Sequence, residues 1–166
     1  MLVTGKGYPD HNTRVFLNRI FIQKPEIPIL YMGDFDPYGI DIYMQYCFGN
    51  KKSIYEDFEL PSIYFLGLEP RDFGPQGPGK RIDMSVEEIS KLHELLNLEI
   101  FLGDAEICKN PESDNMEEEQ RFQRWKIREL KDKLHYMMFT SSKYELEALG
   151  DLTIDYIEFK LKSLLN

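Results

Sequence analysis

The sequence predicts an α/β fold: a mostly parallel sheet flanked by helices, with a helical C-terminal extension. Three observations predict it. Short apolar runs of strand length alternate with helical periodicities in the first half of the chain, which favours parallel strands joined by crossover helices. The run Pro28-Ile29-Leu30-Tyr31-Met32-Gly33 ends on Asp34-Phe35-Asp36-Pro37-Tyr38-Gly39 and passes straight into a helical rhythm at Ile40, Tyr43, Met44 and Cys47. The second half reads as helices.

The elements follow in chain order. Leu2-Val3-Thr4 reads as a strand stub cut short by Gly5-Lys6-Gly7. A helix from about Asp10 to Phe21 turns Phe16, Leu17, Ile20 and Phe21 to one side. The Asp34–Asp36 strand and its helix come next, the helix ending near Gly49. Ser62-Ile63-Tyr64-Phe65-Leu66-Gly67 is a further strand, and Gly74-Pro75-Gln76-Gly77-Pro78-Gly79 is a loop. Met84 to Leu96 is helical, with Ser85 as N-cap and Glu88 completing a capping box. Asn110 to Glu119 is a polar, acidic linker. Arg121 to Phe139 is a long helix whose Ile127, Leu130, Leu134 and Met137 face a core. A last helix carries Ile154, Ile157, Leu161 and Leu164 on its apolar side. No internal repeat interrupts this order, and the whole chain is read as one domain.

At 166 residues, 42% of them hydrophobic and 13% aromatic, the chain is long enough to bury a core. No apolar run approaches the roughly 20 residues of a membrane span, and no membrane partner is expected. The N-terminal segment breaks at Gly5, so it is not read as a signal peptide. Cys47 and Cys108 lack metal or redox spacing; Cys47 falls on an apolar helix face, and the expected setting is reducing. A net charge of −9 argues against a protein that coats nucleic acid, while leaving room for a local basic patch.

Asp34 and Asp36 are the main candidates for chemistry. They stand at the C-terminal end of a strand just before a helix, which is where open α/β sheets bind ligands. Asp before Pro and Gly is also a common turn, so a plain turn and a metal site both stand. Two carboxylates there suit Mg²⁺, which leaves its other positions to water and phosphate. An EF-hand is excluded because the twelfth position of the loop is Gln45. Gly5-Lys6-Gly7 allows a close phosphate approach with Lys6 as a point charge, or is a simple turn. Arg121, Arg124, Arg128 and Lys131 share a helix face, partly neutralised by Glu117, and are read as a solvated face rather than a phosphate-tracking stripe. His11, His93 and His135 are dispersed, with His93 assigned to the apolar side of its helix.

Taken together, Val3-Thr4-Gly5-Lys6-Gly7-Tyr8-Pro9-Asp10, Thr13-Arg14 and Gly33-Asp34-Phe35-Asp36-Pro37-Tyr38-Gly39-Ile40 resemble the Toprim domain of the topoisomerase VI A subunit family. That family includes the meiotic protein that makes double-strand breaks. Ile63-Tyr64-Phe65-Leu66-Gly67-Leu68 and Lys143-Tyr144-Glu145-Leu146-Glu147-Ala148-Leu149 are similar to further family segments, and Ile40-Asp41-Ile42 looks closer to the meiotic branch. The resemblance implies a Toprim-like fold and an enzyme that breaks DNA by tyrosine transesterification. It implies Asp34 and Asp36 as ligands of Mg²⁺ (or Mn²⁺), and Lys6 and Arg14 as basic positions near double-stranded DNA. It also implies a homodimer, other recombination proteins and a topoisomerase-VI-B-like partner subunit, in the nucleus on the meiotic branch and in the cytoplasm on the archaeal one. Two departures stand out. The family's nucleophilic tyrosine belongs to an upstream winged-helix domain, and its third Toprim carboxylate belongs to a first strand expected before Leu2. Neither has a counterpart here, so the chain is expected to be a Toprim module lacking its first strand and helix, inactive alone, with no catalytic residue assigned to any of its ten tyrosines. Two other classes stay open: a phosphatase using Asp34 as nucleophile and Asp36 as acid/base, and a non-enzymatic interaction domain.

Overall fold

A computed structural model describes residues 1–49, 60, 63–72, 81–102 and 118–165. The chain divides into two compact units. One comprises Met1–Arg81 with Tyr144–Asn166, and the other Ile82–Lys143. The loop expected at Gly74–Gly79, most of the linker at Asn110–Glu119, Cys108 and Glu117 lie outside the described residues.

In the first unit, helix α1 (His11–Gln23) starts where the Asp10 carboxylate accepts the Thr13 N–H at 2.7 Å. Its buried residues are Arg14 and Leu17, whereas Phe16 is exposed. Strand β1 (Ile29–Tyr31) pairs in parallel with β2 (Ile63–Phe65), Leu30 opposite Tyr64. Between them runs α2 (Pro37–Phe48), with Pro37 in its first turn, where a missing N–H costs nothing. This β–α–β order with parallel pairing gives the α/β architecture. Seven of the twelve α2 residues are buried, among them Cys47, as its helix position predicts. Tyr31, Tyr43 and Phe65 pack their rings 5.2–5.7 Å apart, at tilted or edge-on angles favourable to aromatic pairs. The buried Tyr43 hydroxyl donates to the Ile63 carbonyl at 2.9 Å, which ties α2 to β2.

The unit closes with a 3₁₀ segment (Leu146–Leu152) and the terminal helix (Thr153–Leu165). That helix buries Tyr156 and Lys160, one turn apart, while Ile154 is 69% exposed. The apolar face expected from Ile154 is therefore wrong in its phase. The reason is a polar cluster that periodicity overlooks. Lys160 Nζ donates to Glu69 at 3.1 Å and Asp72 at 2.9 Å, and the Tyr156 hydroxyl, with its one hydrogen, lies 2.6 Å from the Asp72 carboxylate and 2.8 Å from the Gly67 carbonyl. All the charges here are paired, the condition for tolerating burial.

In the second unit, β3 (Ile82–Asp83) and β4 (Ser142–Lys143) form a two-residue antiparallel ladder. Helix α3 (Val86–Leu96) opens with the expected box: Glu88 N–H to Ser85 Oγ at 3.2 Å, and Ser85 N–H to the Glu88 carboxylate at 2.7 Å. A short helix α4 (Glu99–Leu102) leads on, and α5 (Glu118–Thr140) packs against α3. Leu130, Leu134 and Met137 are fully buried, as their spacing predicts. His93 is exposed rather than on the apolar side, because the α3 stripe runs through its neighbours Leu92 and Leu95. Lys143 Nζ reaches the Glu88 carboxylate at 2.8 Å, joining β4 to α3. Burial pushes the Glu88 carboxyl up, but the Lys143 ammonium and the Ser85 N–H outweigh it and hold the group below the usual range.

Leu2-Val3-Thr4 is not a strand. Leu2 is 95% exposed, and no described segment pairs with it. A β-rich triplet becomes a strand only with a hydrogen-bonded neighbour.

Candidate metal and nucleic-acid site

Everything that places Asp34 and Asp36 lies in the first unit. The chain leaves β1 extended. Phe35 is 1% exposed and exchanges two backbone hydrogen bonds with Tyr144, its N–H to the Tyr144 carbonyl at 2.9 Å and the reverse at 3.1 Å. In extended backbone, residues i and i+2 point the same way. With Phe35 driven into the core, Asp34 and Asp36 project together, and both line one cavity of about 530 Å³.

Each carboxylate is held by a backbone donor. Asp34 Oδ1 accepts the Leu146 N–H at 2.7 Å, from a residue 112 positions away in sequence. Asp36 Oδ1 accepts the Gly39 N–H at 2.5 Å and so caps α2. Gly39 is compulsory: a Cβ there would collide with the Asp34 carbonyl oxygen and crowd Asp36 Oδ1. The Tyr31 hydroxyl donates to the Gly39 carbonyl at 3.0 Å behind the pair. Burial, then the nearby Asp34 charge, pushes the Tyr31 phenol well above its usual value.

The donor chemistry fits a hard divalent cation. Two carboxylates line one recess, and Mg²⁺ bound there would keep coordination positions for water and phosphate oxygens. Among the described residues no group of three or more His, Cys, Asp or Glu side chains is assembled to hold a metal. Sequence reasoning brought Asp34 and Asp36 together. It did not find the Leu146 amide or the Tyr144 bridge, which have no signal short of the folded chain.

The basic candidates fare differently. Lys6 is exposed, in the left-handed region (φ 52°), between two glycines that line the same cavity. Arg14 is only 6% exposed on α1, so it forms part of the packing rather than the open surface. On α5, Arg121 and Arg128 are exposed, while Lys131 Nζ is taken up by the Phe101 carbonyl at 3.0 Å, consistent with a solvated structural face. No described helix is long and apolar enough to cross a membrane.

Comparison with known proteins places the chain among relatives. The chain is 29% identical over 161 residues to the mouse protein "Meiotic recombination protein SPO11", covering 95% of this chain and 35% of that one. It is 28% identical over 160 residues to Arabidopsis thaliana "Meiotic recombination protein SPO11-1", covering 95% of this chain and 38% of the relative. It is 30% identical over 171 residues to the A subunit of type 2 DNA topoisomerase 6 from Sulfurisphaera tokodaii, covering 98% and 40%. The chain thus spans 35–40% of the length of these relatives. The family defined by the Toprim domain of Spo11 and of the topoisomerase 6 A subunit matches residues 1–161, and the chain belongs to that family.

Proposed function

We propose that this chain is the metal-binding and DNA-binding Toprim module of a protein that makes DNA double-strand breaks by tyrosine transesterification. The observation that carries the reading is the projection of Asp34 and Asp36, either side of the buried Phe35, into the cavity bordered by the Lys6 loop. In this reading Asp34 and Asp36 hold Mg²⁺, or Mn²⁺ in its place. When bound, the ion supplies charge stabilisation at the scissile phosphate. Lys6 neutralises a neighbouring backbone phosphate. Arg14, being buried, has the smaller share. In the reaction a tyrosine oxygen attacks phosphorus, a phosphotyrosine bond forms to the 5′ end, and the 3′ oxygen leaves with a proton.

None of the ten tyrosines of this chain is assigned as that nucleophile. The chain by itself is expected to bind without cutting, and cutting is expected from an assembly in which another domain brings the tyrosine. A homodimer, nuclear recombination partners and a topoisomerase-VI-B-like subunit complete the proposal. The meiotic branch is favoured by Ile40-Asp41-Ile42, with near-equal identities of 29% to the mouse and 30% to the archaeal relative. A phosphatase reading is weaker: among the described lining residues of the cavity, Asp34 and Asp36 are the charged side chains, and no lysine accompanies them.

The test is Mn²⁺ titration calorimetry together with band shifts on double-stranded DNA. Asp34→Asn and Asp36→Asn are expected to weaken Mn²⁺ binding, and Lys6→Ala to lower the log–log salt slope of DNA binding by about 0.9, one phosphate contact. Unchanged Mn²⁺ affinity in both asparagine variants would sink the site. A stronger effect from Arg124→Ala and Arg128→Ala than from Lys6→Ala would move the DNA interface to α5.

A further inference from the structure

The conformation of the Lys6 loop is not one its sequence prefers. Lys6 has φ 52° and Gly7 φ 112°. For a non-glycine residue the left-handed region is intrinsically disfavoured, and Lys6 is exposed, so no packing of its own side chain enforces it. Within the loop the Lys6 N–H donates to Thr4 Oγ1 at 3.3 Å, and two contacts from α2 flank Lys6 on either side.

On the N-terminal side, Gly5 lies so close to Tyr46 that a Cβ would stand 2.8 Å from the Tyr46 hydroxyl oxygen. On the C-terminal side, the Tyr8 hydroxyl donates to Asp41 Oδ2 at 2.8 Å. Burial raises the Tyr8 phenol well above its usual value, and the Asp41 bond adds to this, so the donor proton stays in place at neutral pH. Asp41 stands five residues beyond Asp36 on the same helix, about 7.5 Å along its axis. The helix that Asp36 caps therefore also fixes the loop that carries Lys6.

We propose that Asp41 and Tyr8 are positioning residues: their hydrogen bond sets Lys6 at a fixed place relative to the Asp34–Asp36 pair, so that one DNA phosphate meets the Lys6 ammonium while its neighbour meets the ion that the two carboxylates would hold. This deepens the DNA-binding reading and rests on it. Neither residue touches the reacting atoms, and the bond joins positions 33 apart in sequence, with no motif to announce it.

Two readouts test it separately. The first needs no DNA. Amide hydrogen exchange of the segment covering residues 4–8 is expected to quicken about fivefold in Tyr8→Phe and in Asp41→Leu, the factor an ordinary hydrogen bond contributes. Asp41→Asn, which keeps an acceptor oxygen, is expected to stay near wild type. The second is the salt dependence of binding to a double-stranded oligonucleotide. Tyr8→Phe is expected to bind two- to tenfold more weakly at low salt, and Tyr8→Phe/Lys6→Ala no more weakly than Lys6→Ala alone, because the effect passes through Lys6. Wild-type exchange in Tyr8→Phe overturns the clamp. Additive losses in the double variant overturn the route through Lys6. Faster exchange in Tyr8→Phe with wild-type DNA binding by Lys6→Ala refutes the DNA reading instead, and with it the purpose assigned to the clamp.

Discussion

Asp36 carries two burdens that substitution can separate. It lines the cavity as a carboxylate, and it caps α2 through Oδ1, accepting the Gly39 N–H at 2.5 Å from a position only 9% exposed. Asn keeps the capping oxygen and removes the charge; Ala removes both. Loss of an N-cap side chain costs about 0.5–2 kcal/mol, whereas Asn and Asp cap about equally well. Losing the negative charge at the helix N-terminus costs Asn a further ~0.3–1 kcal/mol. For a chain of this size 1 kcal/mol corresponds to roughly 2–4 °C in melting temperature. Asp36→Ala is thus expected to melt roughly 2–12 °C below wild type, and Asp36→Asn roughly 1–4 °C below. Mn²⁺ affinity is expected to fall at least about tenfold in both, because even second-shell losses around a metal cost that much. The assay is a thermal melt without metal, paired with Mn²⁺ calorimetry on the same samples. Asp36→Ala melting with wild type would refute the cap. Wild-type Mn²⁺ affinity in Asp36→Asn would refute the ligand, whatever the melts show.

Other expectations follow from the same structure. Lys160→Met leaves Glu69 and Asp72 as buried carboxylates without their ammonium, and is expected to destabilise by about 3–5 kcal/mol. Lys160→Met/Glu69→Gln/Asp72→Asn should recover much of this in urea denaturation, and a loss below ~1 kcal/mol in the single variant would refute the buried triad. Because the Glu88 carboxyl is held below its usual value of 4.5, its contribution is present above that value and is lost as pH falls through the lower folded value. The urea midpoint of Glu88→Gln should therefore trail wild type at pH 7 and converge on it toward pH 3. A gap that stays constant over that range would show that the carboxylate charge is not what stabilises the Glu88 contacts to Ser85 and Lys143.

The parts of the fold legible in the sequence are those specified over short distances. The Ser85–Glu88 box is a three-residue relation, and the buried face of α5 is a repeat of three and four, so both are written locally. The Asp34–Asp36 pair was legible for the same reason, as a strand running into a helix. Errors arose where a distant partner decides. Ile154 looked like the inward face of the terminal helix because periodicity counts apolar residues, yet Lys160 goes inward, since Glu69 and Asp72 await it. Leu2-Val3-Thr4 has strand composition and no neighbour to pair with among the described residues. Strands β3 and β4, two residues each, are too short for any periodicity to register.

The same distinction explains the character of the site. The two carboxylates were legible, but what aims them was not: Phe35 bridges to Tyr144, and the Leu146 amide holds Asp34. The segment after β4 is therefore as much a part of the site as the Asp34–Asp36 junction, although it supplies backbone and no chemistry. An isolated strand–helix fragment ending near Gly49 would keep both aspartates and the Gly39 cap on Asp36, and lose the Leu146 amide on Asp34 and the Tyr144 bridge to Phe35. Asp34 would then be free to turn away from Asp36, because nothing in the fragment replaces its backbone donor. The chain reaches back across more than a hundred residues to supply one such donor, the Leu146 N–H on Asp34. Gly39 supplies the other from within α2. Both donors are fixed before any cation arrives, so binding an ion would require little rearrangement of the backbone.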